Sequence, residues 1–311
     1  MKNCVIWVFL ELLLVSLACR APQPEGTLDI VFFDVGQGNA ILIRTPDKRA
    51  CLIDGGPTFA GANEICPILD SLGITELDYS IATNYTEGRI GGLDEVIRYL
   101  GGEEGVLFYS YDRGRTIHTK AFSEYQQAVG SRRKKIRVGE IIEIGDVTIW
   151  CLASNGRVLE SKRKHPKVEQ DRSIALLVSY HNFDMLITSD LNGVAGNNRL
   201  NLGSKLAEVT DEVELLSVGN YGSASAVSYR MVQQIHPVVS VISVGKNDLN
   251  LPDQKLVNRL TRRHRKVYQT NRTDSDLIPF GKGRIVGHNI WVRVNPNWYT
   301  VAGDTFRIFR Q

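Results

Sequence analysis

Cysteine is scarce in this chain, with five in 311 residues. That is too few for a disulfide scaffold. No C-x-x-C spacing occurs, which excludes a zinc ribbon or a thioredoxin-type pair. Histidine is nearly as sparse. The six stand at 118, 165, 181, 236, 264 and 288, and no two lie within four residues of each other. Neither an H-x-H nor an H-x₃-H metal pair therefore exists. Long apolar runs are missing beyond the start, which excludes a multi-span membrane protein. An excess of one charge is missing too, since 37 Lys and Arg against 34 Asp and Glu leave +3. With 43% hydrophobic and 23% charged residues, the composition is that of a folded globular chain rather than a disordered one.

The first residues do not read as part of the fold. Val5 to Ala18 is an apolar stretch interrupted by Glu11. It is too short for a hydrocarbon layer of ~30 Å and matches the core of a signal peptide over residues 1–18. Val15-Ser16-Leu17-Ala18-Cys19 resembles a bacterial lipobox, with Ser16 where leucine is usual. The expectation is a lipid on Cys19, a tether over 19–26, and a single domain over 27–311 anchored at the cell envelope. The alternative is cleavage after Ala18 or Ala21, giving a soluble secreted or periplasmic protein. Cys51, Cys66 and Cys151 then remain, an odd count. Cys51 and Cys151 sit in apolar runs and are expected to be small buried hydrophobes.

The body reads as strands, then strand–helix alternation, twice over. Strands are expected at 28–33, 40–44, 50–53, 77–82, 106–109, 174–180, 183–188, 213–218, 238–244 and 267–270. Residues 136–152 alternate around a turn at Gly145-Asp146. Final strands are expected near 285–294 and 305–309. Helical spacing covers 63–72, 93–100, 119–129, 224–235 and 253–263. This order implies two sheets with helices outside them.

A set of motifs, in order, carries a resemblance. Asp34-Val35-Gly36-Gln37-Gly38-Asn39-Ala40, Leu52-Ile53-Asp54-Gly55-Gly56 and Ile90-Gly91-Gly92-Leu93 come first. Thr188-Ser189-Asp190-Leu191, Val218-Gly219-Asn220-Tyr221-Gly222-Ser223, Val241–Asn247 and Val267–Thr270 follow. Over residues 28–270 the chain resembles a metallo-β-lactamase-fold domain, closest to the hydrolase-like domain of ComEC-type DNA-uptake proteins. The resemblance implies an αββα sandwich and a site for two metals, usually zinc or manganese. The ligands that such a site requires are replaced. Where the family has H-x-H-x-D-H, this chain has Asn84, Thr86, Gly88 and Arg89 at the ligand positions. The G-H-H-G stretch is Asn220-Tyr221, and the late histidine position is Asn250. The metal-bridging aspartate has a counterpart in Asp190. Amide and hydroxyl groups are weak zinc ligands. The expectation is therefore a non-catalytic chain with no metal or cofactor, in which Arg89 pairs with Asp190. Against this stands an arginine that points to solvent. Asp34 and Asp54 match positions that the resemblance implies help shape the site in an intact enzyme; here they are expected as turn residues holding glycine loops. A metal-dependent hydrolase or nuclease with an atypical zinc or manganese site, such as one metal on Asp190 and Asp54, is the alternative.

Three basic runs stand out, at 132–137, 162–167 and 262–266. Arg132, Arg133, Lys134, Lys135, Arg262, Arg263 and Arg265 are candidate polyanion contacts. Solvated loops and a helix C-terminus are the favoured account of them. The partners expected are the membrane through Cys19 and another envelope protein or nucleic acid.

Overall fold

A computed structural model describes residues 26–101, 109–196, 199–274 and 277–308. The signal peptide, Cys19 and most of the tether lie outside the described residues, as does nearly all of the strand expected at 106–109. Chain order begins with strands β1 (Leu28–Phe32), β2 (Ile41–Arg44) and β3 (Ala50–Ile53), then helix α1 (Cys66–Ser71) and β4 (Tyr79–Ile81). Next come α2 (Glu87–Ile90), α3 (Leu93–Tyr99), β5 (Tyr109–Asp112), α4 (Lys120–Val129) and β6 (Arg133–Lys135). The middle holds β7 (Ile141–Ile144), β8 (Val147–Ser154), β9 (Arg157–Val158), β10 (Ala175–Tyr180) and β11 (Phe183–Ile187). Then follow α5 (Gly203–Leu206), β12 (Leu215–Val218), α6 (Tyr229–Ile235), β13 (Val239–Ile242), α7 (Gln254–Leu260) and β14 (Lys266–Gln269). The last strands are β15 (Gly283–Ile285), β16 (Ile290–Val294), β17 (Trp298–Val301) and β18 (Asp304–Arg307).

Two sheets form. The first runs β18-β17-β16-β1-β2-β3-β4-β5-β6, and the second runs β15-β14-β13-β12-β11-β10-β8-β7 with β9 on β8. Strand periodicity explains the layering. Leu28, Ile30 and Phe32 point into the core between the sheets, while Val31 and Phe33 point outward beneath helices. Leu69, Leu93, Val96 and Phe122 of α1, α3 and α4 cover the outer face of the first sheet. Leu206, Met231, Ile235 and Leu256 of α5, α6 and α7 cover the second. The result is the four-layer αββα sandwich.

Three expectations need correction. The helix expected from 224 begins at Tyr229, because Ser228 caps it by accepting from the Met231 amide at 3.0 Å. The run at 285–294 is not one strand. It breaks at Gly287, whose φ is 76°, a left-handed conformation that glycine adopts without a Cβ penalty. β15 then pairs with β14 in the second sheet, and β16 crosses to β1 in the first. Third, β17 and the cationic edge strand β6 had no counterpart in the periodicity.

Strand direction positions the site. β3 and β4 are parallel, as are β11 and β12. Their C-terminal ends carry Asp54, Thr83-Asn84, Asp190 and Asn220 to the same rim of the sandwich.

Candidate functional site

At that rim Arg89 lies between two carboxylates. It sits in the last turn of α2 and is buried, at 2% exposure. Nη1 donates to Asp54 Oδ2 at 2.8 Å and Nη2 to Asp190 Oδ1 at 2.6 Å. Both carboxylates are buried. A planar guanidinium suits this task because its fork reaches two acceptors at once. Its Nε finds no partner among the described residues.

Each carboxylate is satisfied further. Asp54 accepts from the Thr83 amide (2.8 Å), the Thr83 hydroxyl (2.8 Å) and Asn39 Nδ2 (3.2 Å). Asp190 accepts from Asn84 Nδ2 at 2.7 Å and the Asn220 amide at 3.3 Å. Asn84 also donates to Ser173 Oγ (3.0 Å), and Thr86 binds back onto Asn84 Oδ1 through its hydroxyl (2.6 Å). Asn220 Nδ2 donates to the Asp190 carbonyl at 2.8 Å. Tyr221 lays its ring 5.9 Å from the Arg89 guanidinium, a cation–π contact.

One cation faces two acids, and their ionisation diverges. Burial pushes the Asp190 carboxyl up. The Arg89 charge, the Arg89 hydrogen bond and the bonds from Asn84 and Asn220 outweigh it, leaving Asp190 below its ordinary range. For Asp54 burial wins over the same arginine, and its carboxyl is raised. Burial works against the Arg89 charge, but Asp190 and Asp54 overcome it and hold the guanidinium firmly protonated. Burial also pushes the Tyr221 hydroxyl up, so it stays neutral.

The structure thus brings Asn84, Thr86, Gly88, Arg89, Asp190, Asn220 and Tyr221 into one neighbourhood. Asn250 is exposed at φ 53°, between Leu249 and Leu251, which line the cleft beside Asn220 and Tyr221. Asn247 organises that loop, donating to the Gly245 and Leu251 carbonyls. Asp54 needs correction: it is a member of the ionic centre, not only a turn residue. Asp34 does hold a turn, accepting from the Gly36 amide (3.4 Å) and Asn271 Nδ2 (3.0 Å).

Among the candidate polyanion contacts, three are committed elsewhere. Arg133 pairs with Asp112 at 2.5 Å and donates to the Tyr85 hydroxyl at 3.0 Å. Arg132 donates to the Ala128 carbonyl at 3.2 Å. Arg265 is buried and donates to the Val232 carbonyl. Lys134, Lys135, Arg262 and Arg263 are exposed.

Two further arginines support the centre and carry no sequence signal, because their partners lie far along the chain. Arg113 is buried, pairs with Glu169 at 2.7 Å and stacks 4.1 Å from the Tyr85 ring. Arg199 pairs with buried Asp171 at 2.8 Å and donates to the Asp190 carbonyl at 2.5 Å. Above Asn220 and Tyr221 opens a cleft of about 490 Å³ that also includes Asn192, Arg199 and Leu249. All six histidines are exposed. Among the described residues no three His, Cys, Asp or Glu side chains cluster as a metal site. Cys51, Cys66 and Cys151 are buried free thiols.

Comparison with known proteins agrees with this architecture. No family model matches the chain. ComE operon protein 3 of Bacillus subtilis is 24% identical over 79% of the chain and 32% of its own length. Competence protein ComA of Neisseria gonorrhoeae is 24% identical over 88% of the chain and 35% of its own length. The chain therefore spans about a third of the length of the curated relatives it matches. Among solved structures, the metallo-β-lactamase-fold protein YhfI from Bacillus subtilis superposes with a TM-score of 0.51 at 13% identity. That match covers 78% of this chain and 96% of YhfI. CmlA, a diiron β-hydroxylase from Streptomyces venezuelae, superposes at 0.55 and 12% identity over 88% of this chain and 55% of CmlA. The fold is that of the metallo-β-lactamases, in a single domain.

Proposed function

We propose that this chain is a non-catalytic metallo-β-lactamase-fold protein that binds or scaffolds at the bacterial cell envelope, in a competence-type setting. The observation that carries the reading is Arg89, buried and hydrogen-bonded to both Asp54 and Asp190. A dication at this position would meet a guanidinium that is held protonated. It would be offered amide and hydroxyl oxygens in place of imidazoles, a donor set that fits zinc poorly. A carboxylate at residue 88 has no room either, since a Cβ there would lie 2.5 Å from the Tyr221 hydroxyl oxygen. The cleft above Asn220 is the surface on which a binding role would draw.

The competence setting rests on likeness to ComE operon protein 3 and ComA. Membrane anchoring rests on the apolar stretch ending at Cys19. No helix among the described residues is long and apolar enough to cross a membrane. Radiolabelled palmitate incorporated into the wild-type chain and lost in Cys19→Ser is the result expected of a lipoprotein. A chain that carries no label removes the anchor.

The deciding experiment is elemental analysis of purified protein after dialysis against zinc and manganese, with a phosphodiester hydrolysis assay alongside. The expected result is less than about a tenth of an equivalent of metal and no turnover. One or two equivalents, or metal-dependent hydrolysis, would establish a hydrolase with unconventional ligands in its place.

A further inference from the structure

The basic runs at 132–137 and 162–167 lie far apart in sequence, yet the fold brings them to one cleft of about 600 Å³. Its cations are Arg115, Lys135, Arg137, Arg157, Lys162 and Arg163, and no carboxylate lines it. One wall is the end of β6 and the loop after it, at the edge of the first sheet. The other is the β8–β9 hairpin and the loop that follows, in the second sheet. Among the described residues none of the six makes an ion pair, although ion pairs hold other arginines throughout the molecule. Placing six unpaired cations around a concave surface is electrostatically costly, and a bound anion offsets that cost.

The walls are built rather than loose. Asn155 and Gly156, at φ 52° and 77°, form the two-residue turn between β8 and β9. Asn155 Nδ2 donates to the Arg113 carbonyl at 2.7 Å, tying the turn to the buried arginine framework. The loop bearing Lys162 and Arg163 is pinned on both sides. Ser161 exchanges hydrogen bonds with the Val158 backbone, and the Lys164 amide donates to the Gly156 carbonyl at 2.8 Å.

We infer that this cleft is a binding site for a compact ligand carrying several phosphate groups. Its volume falls in the range of small-molecule sites, about 300–1,000 Å³. Arginine forks and lysine ammonium groups suit phosphoryl oxygens. No aromatic ring lines the cleft to stack on a base. The neighbouring hollow that shares Ser161 and Lys162 differs in carrying carboxylates, Glu160 and Glu208, the latter paired with Lys205 at 2.7 Å.

The test is calorimetric titration of the full chain with inorganic tripolyphosphate, at low and at physiological salt. Saturable one-site binding is expected, weakening about ten-fold or more between about 50 and about 200 mM salt. Lys162→Glu with Arg163→Glu should weaken binding at least about ten-fold, because both side chains are exposed and unpaired. Thermal melts of that variant should match wild type. Arg262→Glu with Arg263→Glu, outside the cleft, should bind as wild type does. No binding at low salt overturns the inference, and so does equal loss in the two variants. A single-stranded oligonucleotide of about twenty residues that binds far more tightly than tripolyphosphate, with a salt slope steeper than six contacts provide, also overturns it.

Discussion

Arg89 is the residue on which the centre depends, since it answers two carboxylates. Arg89→Ala would leave both buried without a cation and is expected to cost about 3–5 kcal/mol in urea unfolding. Loss below about 1 kcal/mol would mean that water or a solvent cation replaces the guanidinium readily. The two acids should differ in their response to pH. Asp190 binds its proton more weakly when folded, so the stability it lends is complete above the ordinary carboxylate range. That stability is lost as pH falls through its lowered value. Asp54 is raised, so it acts in the opposite sense: its contribution is complete below the ordinary range and lost as pH rises through the raised value. Asp190→Asn should therefore flatten the acid limb of the stability–pH curve, and Asp54→Asn the limb at higher pH. Identical profiles for the two variants would show that the triad titrates as one group with no division of labour.

At the scale of elements, α2 is a single turn wedged against the loop after β12. The contact is close because Gly88 faces the Tyr221 hydroxyl. Tyr221 itself stands at φ 51°, beside Asn220 at 47°. A left-handed aromatic residue is strained unless its surroundings hold it, and here the stacking on Arg89 and the bonds of Asn220 do so. Gly88→Ala is expected to cost about 1–3 kcal/mol by overpacking. Tyr221→Phe in the same chain should recover part of that loss, because it removes the atom in the way. Strict additivity of the two changes in a double-mutant cycle would show that the alanine methyl is accommodated elsewhere. α7 offers a milder test of local order: Asp253 accepts from the Lys255 and Leu256 amides, so Asp253→Ala should cost about 1 kcal/mol.

At the scale of the whole molecule, the first described strand pairs with one from the far end. β1 runs from Leu28↔Val294 to Phe32↔Ile290 against β16. The strands after residue 289 therefore complete the first sheet rather than decorate it. Truncation after 288 would strip β1 of one ladder and uncover Ile30 and Phe32, leaving an exposed apolar edge. The truncated chain is expected to lose its cooperative urea transition by circular dichroism and to aggregate. A sharp transition near the wild-type midpoint would show that β16–β18 are dispensable. The same global arrangement unites the two walls of the basic cleft, which belong to different sheets.

By itself the sequence determined the alternation of strands and helices and the placing of helices outside two sheets. Both are matters of local periodicity and turn chemistry. Residue type alone also makes Asn84 and Thr86 poor zinc donors, and Gly88 has no side chain to offer. The sequence could not show Asp54 hydrogen-bonded to Arg89, since that depends on where segments 35 residues apart come to rest. Nor could it distinguish Arg133 and Arg265, which are consumed internally, from Lys162 and Arg163, which remain available. A run of cations looks alike in sequence whichever way it faces. Only tertiary packing decides which charges meet a buried carboxylate or carbonyl and which are left to face an open cleft.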